Sequence, residues 1–373
     1  MVNFATRLDS ISISGIRKAF DLAAPGAINL GIGQPNFPTP SYIKDAAIQA
    51  IQDGKSDNYT PNKGILDLRI AISNKHSRDN SLTIPPENII ATAGGSEALH
   101  LAIEAHVNPG DKVLIPDPGF VSYSALTHIS GGIPVPIGLR KDLTMDPTSI
   151  ENAISEDVVA FIVNSPGNPT GGVQSKSDMK AFARIADDYD ILCISDEVYE
   201  HFIFEGEHRS PMEFSKSDNV VIVNTCSKSY SMTGWRIGWV VASHQRIEKM
   251  LHVHQYAQAC ASAVSQHAAQ AALSGPQDSL FEMVKIFKKR RGVLVDGLID
   301  MGLDVPIPKG AFYTFPSVPH NWVDNVISNG VIVVPGDSFG ALGKGSARIA
   351  YTVDLPTLQK AIDIMHKVTL SIS

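Results

Sequence analysis

The residue types able to do chemistry gather just after short runs of apolar, β-branched residues. VVAFIVN (158 to 164) leads into SPGNPTG, which puts Asn168 in a turn, and DILCIS (190 to 195) leads into DEVYEHF, with Asp196 and Tyr199. NVVIVN (219 to 224) leads into TCSKSYSMTGWRIGW, with Lys228 and, eight residues on, Arg236. NIIATA (88 to 93) ends in GGSEAL, where two glycines open a helix whose free N–H groups and positive dipole end suit a phosphate. Each residue alone has an ordinary explanation. Gly94-Gly95-Ser96 makes a turn with an N-cap serine, Asp196 caps a helix, Asn168 forms a turn, Lys228 is solvated and Arg236 is half of a salt bridge. The signal is their joint occurrence at consecutive strand ends, because ligands of open α/β sheets collect beyond the carboxyl ends of the strands. Together they offer a lysine to condense with an aldehyde, a carboxylate to keep a ring nitrogen protonated and an anchor for a phosphate. These are the demands of pyridoxal phosphate chemistry.

The elements that would position these groups follow an α/β pattern. From 40 to 265, helical segments such as SEALHLAIEAHV (96 to 107) and KSDMKAFARIADDY (176 to 189) alternate with the strand-like runs, which also include KVLIP (112 to 116) and WRIGWVVA (235 to 242). Most of the runs are apolar throughout, as strands covered on both faces must be. The last of them is expected to be antiparallel, following its predecessor through a short helix or loop. This large α/β domain, with a mostly parallel central sheet, is expected to span 40–265. A smaller α+β domain would combine 1–39 with 266–373: a Lys- and Arg-rich helix (279 to 300), strands at GAFYTFP and GVIVVPG, and a closing helix from Pro356. The turn-rich stretch GIGQPNFPTP separates the N-terminal segment from the large domain.

Composition narrows the function classes. The 31 Lys and Arg against 38 Asp and Glu give a net charge of −7, so there is no basic footprint for nucleic acid or anionic membrane. No apolar run approaches the ~20 residues of a membrane span, and the N-terminus is too polar for a signal-peptide core. Three cysteines without a CxxC pair argue against a disulfide framework and a thiolate metal site, which leads to the expectation of a cytoplasmic protein with small-molecule partners and no metal. His252 and His254, two positions apart on a helix, face different directions and are read as exposed polar residues.

The stretches SPGNPTG, DEVY and SKSYSMTGWRIG resemble those of the class I and II aminotransferases, pyridoxal-phosphate-dependent enzymes of fold type I. The resemblance runs from NLGIGQPNFPTP (29 to 40) to GSARIAYT (345 to 352) in unchanged order. It implies that Lys228 forms the imine with pyridoxal 5′-phosphate and later moves a proton between Cα and C4′. Asp196 would hold the pyridine N–H, and Asn168 and Tyr199 the phenolic oxygen. Gly95, Ser96 and Glu97 would offer backbone N–H groups to the phosphate, with Arg236 and the hydroxyls of Thr225 or Ser227. Phe120, in PDPGFVSY, would stack on the ring, and Tyr59, in NYTPNKGILDLR, would reach the phosphate of a neighbouring subunit's cofactor, which implies a homodimer. Arg348 would grip the substrate α-carboxylate, helped by Gly33 and Asn168.

Phe120 stands where many dicarboxylate-specific members have tryptophan, Asn36 where many have aspartate, and no second arginine for a side-chain carboxylate is identifiable. The expected reaction is ping-pong transfer of an amino group from an L-amino acid, aspartate or aromatic, to a 2-oxo acid such as 2-oxoglutarate. The alternatives are β-elimination from a sulfur amino acid on the same cofactor and a non-catalytic sensor built on the fold. Such sensors carry an added DNA-binding module, for which the chain has no room before its first family-like motif. GIGQPN lacks the last glycine of a dinucleotide-binding turn, and GALGKGSA lacks the GK[ST] of a phosphate-binding loop.

Overall fold

The apolar runs assemble into one seven-stranded sheet. A computed structural model describes residues 4–11, 15 and 26–372. After a short β1 (Ile28–Asn29) come β2 (Ile89–Thr92), β3 (Lys112–Asp117), β4 (Ile133–Gly138), β5 (Val158–Asn164), β6 (Leu192–Asp196), β7 (Val220–Thr225) and β8 (Gly238–Val241). The order across the large sheet is β2-β8-β7-β6-β5-β3-β4. β8 is antiparallel to both β2 and β7, as expected from the sequence, and the other neighbours run parallel.

Parallel strands need cover on both faces, and alternate side chains supply two cores. Ile162, Ile194, Val221 and Val223 pack with Leu99, Ala102 and Ile103 of helix Gly95–Glu104. Phe161, Val163 and Cys193 point the other way, onto Phe182, Ile185 and Ala186 of helix Lys176–Tyr189. Each such aliphatic or aromatic side chain, fully buried, stabilises the fold by about 1.5–3 kcal/mol. Helix Lys176–Tyr189 begins in a capping box between Ser175 and Asp178, which fixes the register of its apolar face.

The sequence reading passed over β4, and its composition explains why. Pro134 and Pro136 argue against a strand, yet β4 lies at the sheet edge and pairs only with β3, where a missing N–H costs no ladder bond on the open side.

A further core lies beyond the large sheet. β9 (Tyr313–Thr314), β10 (Val331–Ile332), β11 (Val334–Pro335) and β12 (Ala347–Ala350) follow the long helix Asp278–Asp300. β11, β12 and β9 form one antiparallel sheet, while β1 pairs in parallel with β10 and so ties residues 28–29 to this lobe. Leu30, Phe287, Phe312, Trp322, Ile349 and Tyr351 are buried together here. Residues 1–3, 12–14 and 16–25 of the N-terminal segment lie outside the described residues. Helix Ala263–Ser274 buries Ala268, Ala269, Ala272 and Leu273 with Ile43, Ala47 and Ile72 beside the large sheet, so a boundary drawn at 265 falls inside an element of that core. Among the described residues no helix is long and apolar enough to cross a membrane.

Candidate active site

The carboxyl ends of β5, β6 and β7 open onto a cavity of about 240 Å3 whose wall includes Gly33, Gly95, Ser96, Phe120, Asn168, Asp196, Tyr199, Thr225, Ser227, Lys228, Arg236 and Arg348. Twelve of the residues singled out from the sequence therefore converge. Two do not line it. Tyr59 is 88% exposed, and the side chain of Glu97 turns away to His254. A larger cleft of about 790 Å3 shares Phe120 with this cavity, but no Lys or Arg is among its described lining residues.

Asp196, the last residue of β6, is buried and aimed at the cavity, where it accepts the Tyr123 hydroxyl (2.7 Å) and, more weakly, the Val198 N–H (3.4 Å). Burial pushes its pKa up to about 6, against the lowering effect of those two bonds. Lys228 sits in a one-turn helix, Cys226–Ser229, that Thr225 caps by accepting the Ser227 N–H. Its Nζ donates to the Gly33 carbonyl (2.7 Å). Desolvation, then the positive fields of Arg348 and Arg236, bring its pKa down to about 8, so near neutrality the amine exchanges protons readily.

At the opposite end, Arg348 projects from β12 between the rings of Tyr313 and Phe339, with its guanidinium carbon 4.7 and 4.6 Å from their centroids. It donates to the Asn168 side-chain oxygen (2.9 Å) and the Gly31 carbonyl (2.6 Å), both neutral, and its buried Nε has no partner among the described residues. Gly33, expected beside the carboxylate, lines the same cavity as Arg348, and its carbonyl accepts from Lys228. It is a glycine because a Cβ there would stand 2.0 Å from the Tyr313 hydroxyl.

The phosphate-type end is built from the turn before helix Gly95–Glu104. Gly94 has φ +84, a left-handed conformation, and any Cβ on it would meet the Arg236 guanidinium at 2.5 Å. The first N–H to close onto this turn is that of Ala98, on Gly94 (3.3 Å), so the N–H groups of Gly95, Ser96 and Glu97 precede the helical ladder. Thr225 and Ser227 share a hydroxyl contact of 2.8 Å beside them. Arg236 precedes β8 at φ +50 and lies in the turn rather than in the strand where the sequence reading put it.

Seven wall residues are not among the sequence candidates, and the side chains of three of them bond residues that are. Tyr123 bonds Asp196, Asn164 accepts the Asn168 N–H (2.7 Å), and the Tyr313 hydroxyl meets that of Tyr199 (2.7 Å). The available signal was that buried tyrosine hydroxyls require partners, and PDPGFVSY and GAFYTFP each carry one. His254 corrects another expectation. It is fully buried and paired with Glu97 (2.7 Å), while His252 is exposed.

The chain belongs to the family described as aminotransferase class I and II, whose model matches residues 25–365. It is 41% identical to a "Probable aspartate aminotransferase" of Methanocaldococcus jannaschii, over 98% of this chain and 99% of that one. It is 35% identical to an aromatic-amino-acid aminotransferase 2 of Thermococcus litoralis, over 97% of each chain. The structure of an aspartate aminotransferase from Thermus thermophilus with maleate superposes with a TM-score of 0.94 at 32% identity, over 99% of this chain and all of that one. The protein is therefore a fold-type-I transaminase, an enzyme acting on amino acids and 2-oxo acids, from a family dependent on pyridoxal phosphate.

Proposed function

We propose that this cavity takes pyridoxal 5′-phosphate with Lys228 as its covalent anchor, and that the enzyme transfers the amino group of aspartate or an aromatic amino acid to a 2-oxo acid such as 2-oxoglutarate. What carries the reading is the convergence in one cavity of an amine whose pKa burial brings down to about 8, Lys228, and a buried guanidinium, Arg348, with no carboxylate partner among the described residues. The donor set suits the cofactor from end to end. Asp196 would receive its ring N–H, Asn168 and Tyr199 would reach the phenolic oxygen, and Phe120 would cover one ring face. The N–H groups of Gly95, Ser96 and Glu97, the hydroxyls of Thr225 and Ser227, and Arg236 would hold its phosphate. When bound, the cofactor supplies an electron sink for the substrate carbon that loses its proton.

The residues of the chain do the rest. Arg348, fixed between two rings, holds the α-carboxylate with Asn168 and Gly33 and so presents the substrate Cα to Lys228. Lys228 takes the proton from that carbon and returns it across the cavity, which needs an amine that is neither permanently charged nor strongly basic. Tyr123 keeps the Asp196 carboxylate oriented. The reaction runs in two halves, one amino acid leaving as its 2-oxo acid before a second oxo acid takes the amine. Exposed Tyr59 supports a homodimer in which it serves the neighbouring subunit's phosphate. The two lobes are best divided after Ser274. Three unbonded cysteines agree with a cytoplasmic setting.

The test is to offer the purified, cofactor-loaded protein aspartate, phenylalanine, alanine and cystathionine in turn. One 2-oxo acid formed per site without an acceptor, and continuous turnover with 2-oxoglutarate, is the expected result, fastest with aspartate or phenylalanine. Catalytic release of pyruvate and ammonia from cystathionine alone would replace transamination with β-elimination.

A further inference from the structure

The turn that precedes helix Gly95–Glu104 is braced from the cavity side by Arg236 and from behind by Glu97, whose side chain does not line the cavity. Ala93 is held on both sides: its N–H donates to Glu97 Oε2 and its carbonyl accepts Arg236 Nη2 (3.3 Å). The Thr92 hydroxyl closes onto the Gly94 carbonyl (3.0 Å). These bonds fix the peptide planes on either side of Gly94, and with them the plane that carries the Gly95 N–H, from which the N–H groups of the helix start follow.

Glu97 stands at the third position of the helix, where a carboxylate commonly reaches back to the N-cap N–H. Here it reaches one residue further, past Gly94 to Ala93, and its second oxygen is not left to water. Oε1 is 2.7 Å from Nδ1 of His254, a fully buried residue of helix His244–Ala257, which packs beside the helix of Glu97. His254 Nε2 has no partner among the described residues, so the imidazole proton belongs on Nδ1, where Glu97 accepts it. A helix cap alone would not need that buried histidine. A carboxylate kept at a fixed distance from an anion site would, because an untethered Glu97 would drift toward the same N–H groups that the phosphate uses.

We infer that Glu97 and His254 are positioning residues for phosphate recognition: His254 holds Glu97, Glu97 holds Ala93, and the turn then presents its N–H groups to the 5′-phosphate of the cofactor. The inference rests on the reading that this cavity takes pyridoxal 5′-phosphate. It extends that reading by giving the Glu97 side chain a role separate from its backbone N–H.

The test compares dissociation constants of the apo-protein for pyridoxal 5′-phosphate and for pyridoxal, which lacks the phosphate, in native protein and in Glu97→Ala, Glu97→Gln, His254→Ala and His254→Asn. Glu97→Ala and His254→Ala should weaken the phosphorylated form at least about tenfold while changing pyridoxal less than threefold. Glu97→Gln keeps an oxygen for the Ala93 N–H, and His254→Asn keeps a donor for Glu97, so both should stay within about threefold of native. If one alanine variant does not fold, thermal melting will show it, and the other alanine variant then carries the test. Equal losses for both ligands, no loss for either, or Gln and Asn variants as weak as alanine would overturn the inference. Native protein without preference for the phosphorylated form would instead remove the cofactor reading beneath it.

Discussion

Two clusters of buried charge lie back to back at the end of β6, and they differ in how their charge is met. In front, Asp196 faces the cavity with a tyrosine hydroxyl and a distant N–H for partners, and Arg348 has only neutral acceptors among the described residues. Behind, the next residues of the chain are fully engaged. Glu200 pairs with buried Lys75 and accepts the amides of Asn80 (2.9 Å) and Asn224 (2.6 Å). Glu197 accepts the hydroxyls of Ser195 (2.8 Å) and Ser210 (2.6 Å) and meets His208 (3.2 Å). The pKa directions follow. Glu200 is held well below the usual carboxylate range by Lys75 despite its burial, and His208 is raised by Glu197, whereas burial lifts Asp196.

Glu197, Glu200 and His208 offer ligand atoms within 4.8 Å of one another, yet Lys75 already supplies the cation that their geometry invites. An internally neutralised cluster is scaffold, and one left with unmet charge is a binding site. Asn224 joins the two: it accepts the Thr225 N–H (2.7 Å) at the start of the Lys228 turn, so the rear cluster sets where the lysine stands.

The contrast can be broken from either side. Arg348→Ala removes both charge-assisted bonds to the substrate carboxylate, each contributing about 1.5–3 kcal/mol, so kcat/KM should fall about 10^2- to 10^4-fold with little change in the melting temperature. A large loss of stability would make Arg348 part of the scaffold. Lys75→Met leaves Glu200 buried and unpaired, and should cost about 3–5 kcal/mol in denaturant unfolding, with Lys75→Met/Glu200→Gln recovering most of it. Absence of recovery would contradict the assignment of the pair as mutually compensating.

Asp196→Asn should do the reverse and stabilise the apo-protein while abolishing transamination. A carboxyl that titrates near 6 when folded and near 3.9 when unfolded binds its proton more tightly in the native state. The native protein therefore loses stability as pH rises from about 4 to 6 and carries a deficit of about 3 kcal/mol above that. The asparagine variant should then melt higher than native apo-protein at pH 8 and equally at pH 4. A pH-independent difference would place Asp196 in an environment other than the one described.

The front cluster was legible in the sequence because strand ends announce themselves: an apolar β-branched run followed by a polar turn places Asn168, Asp196 and Lys228 at one edge without any knowledge of packing. The rear cluster was not. Lys75 and Glu200 sit on separate elements, and nothing local in NKHSRDN or DEVYEHF says that they meet. His254 was misjudged for the same reason, since two histidines two residues apart reveal that one faces inward only when the neighbouring helix is known. Tyr313 and Tyr123 reach the cavity through contacts between segments distant in the chain. β4 was missed because two prolines outweigh local pattern until the edge position is seen.

The central claim, that the unmet charge in front of β6 exists to receive a lysine-bound cofactor, meets its most direct test in peptide mapping. Apo-protein is incubated with pyridoxal 5′-phosphate, reduced with borohydride, digested and analysed by mass spectrometry. The account predicts one added phosphopyridoxyl group, on the peptide containing Lys228, and none in Lys228→Ala. Labelling spread over surface lysines, or undiminished in Lys228→Ala, would contradict it.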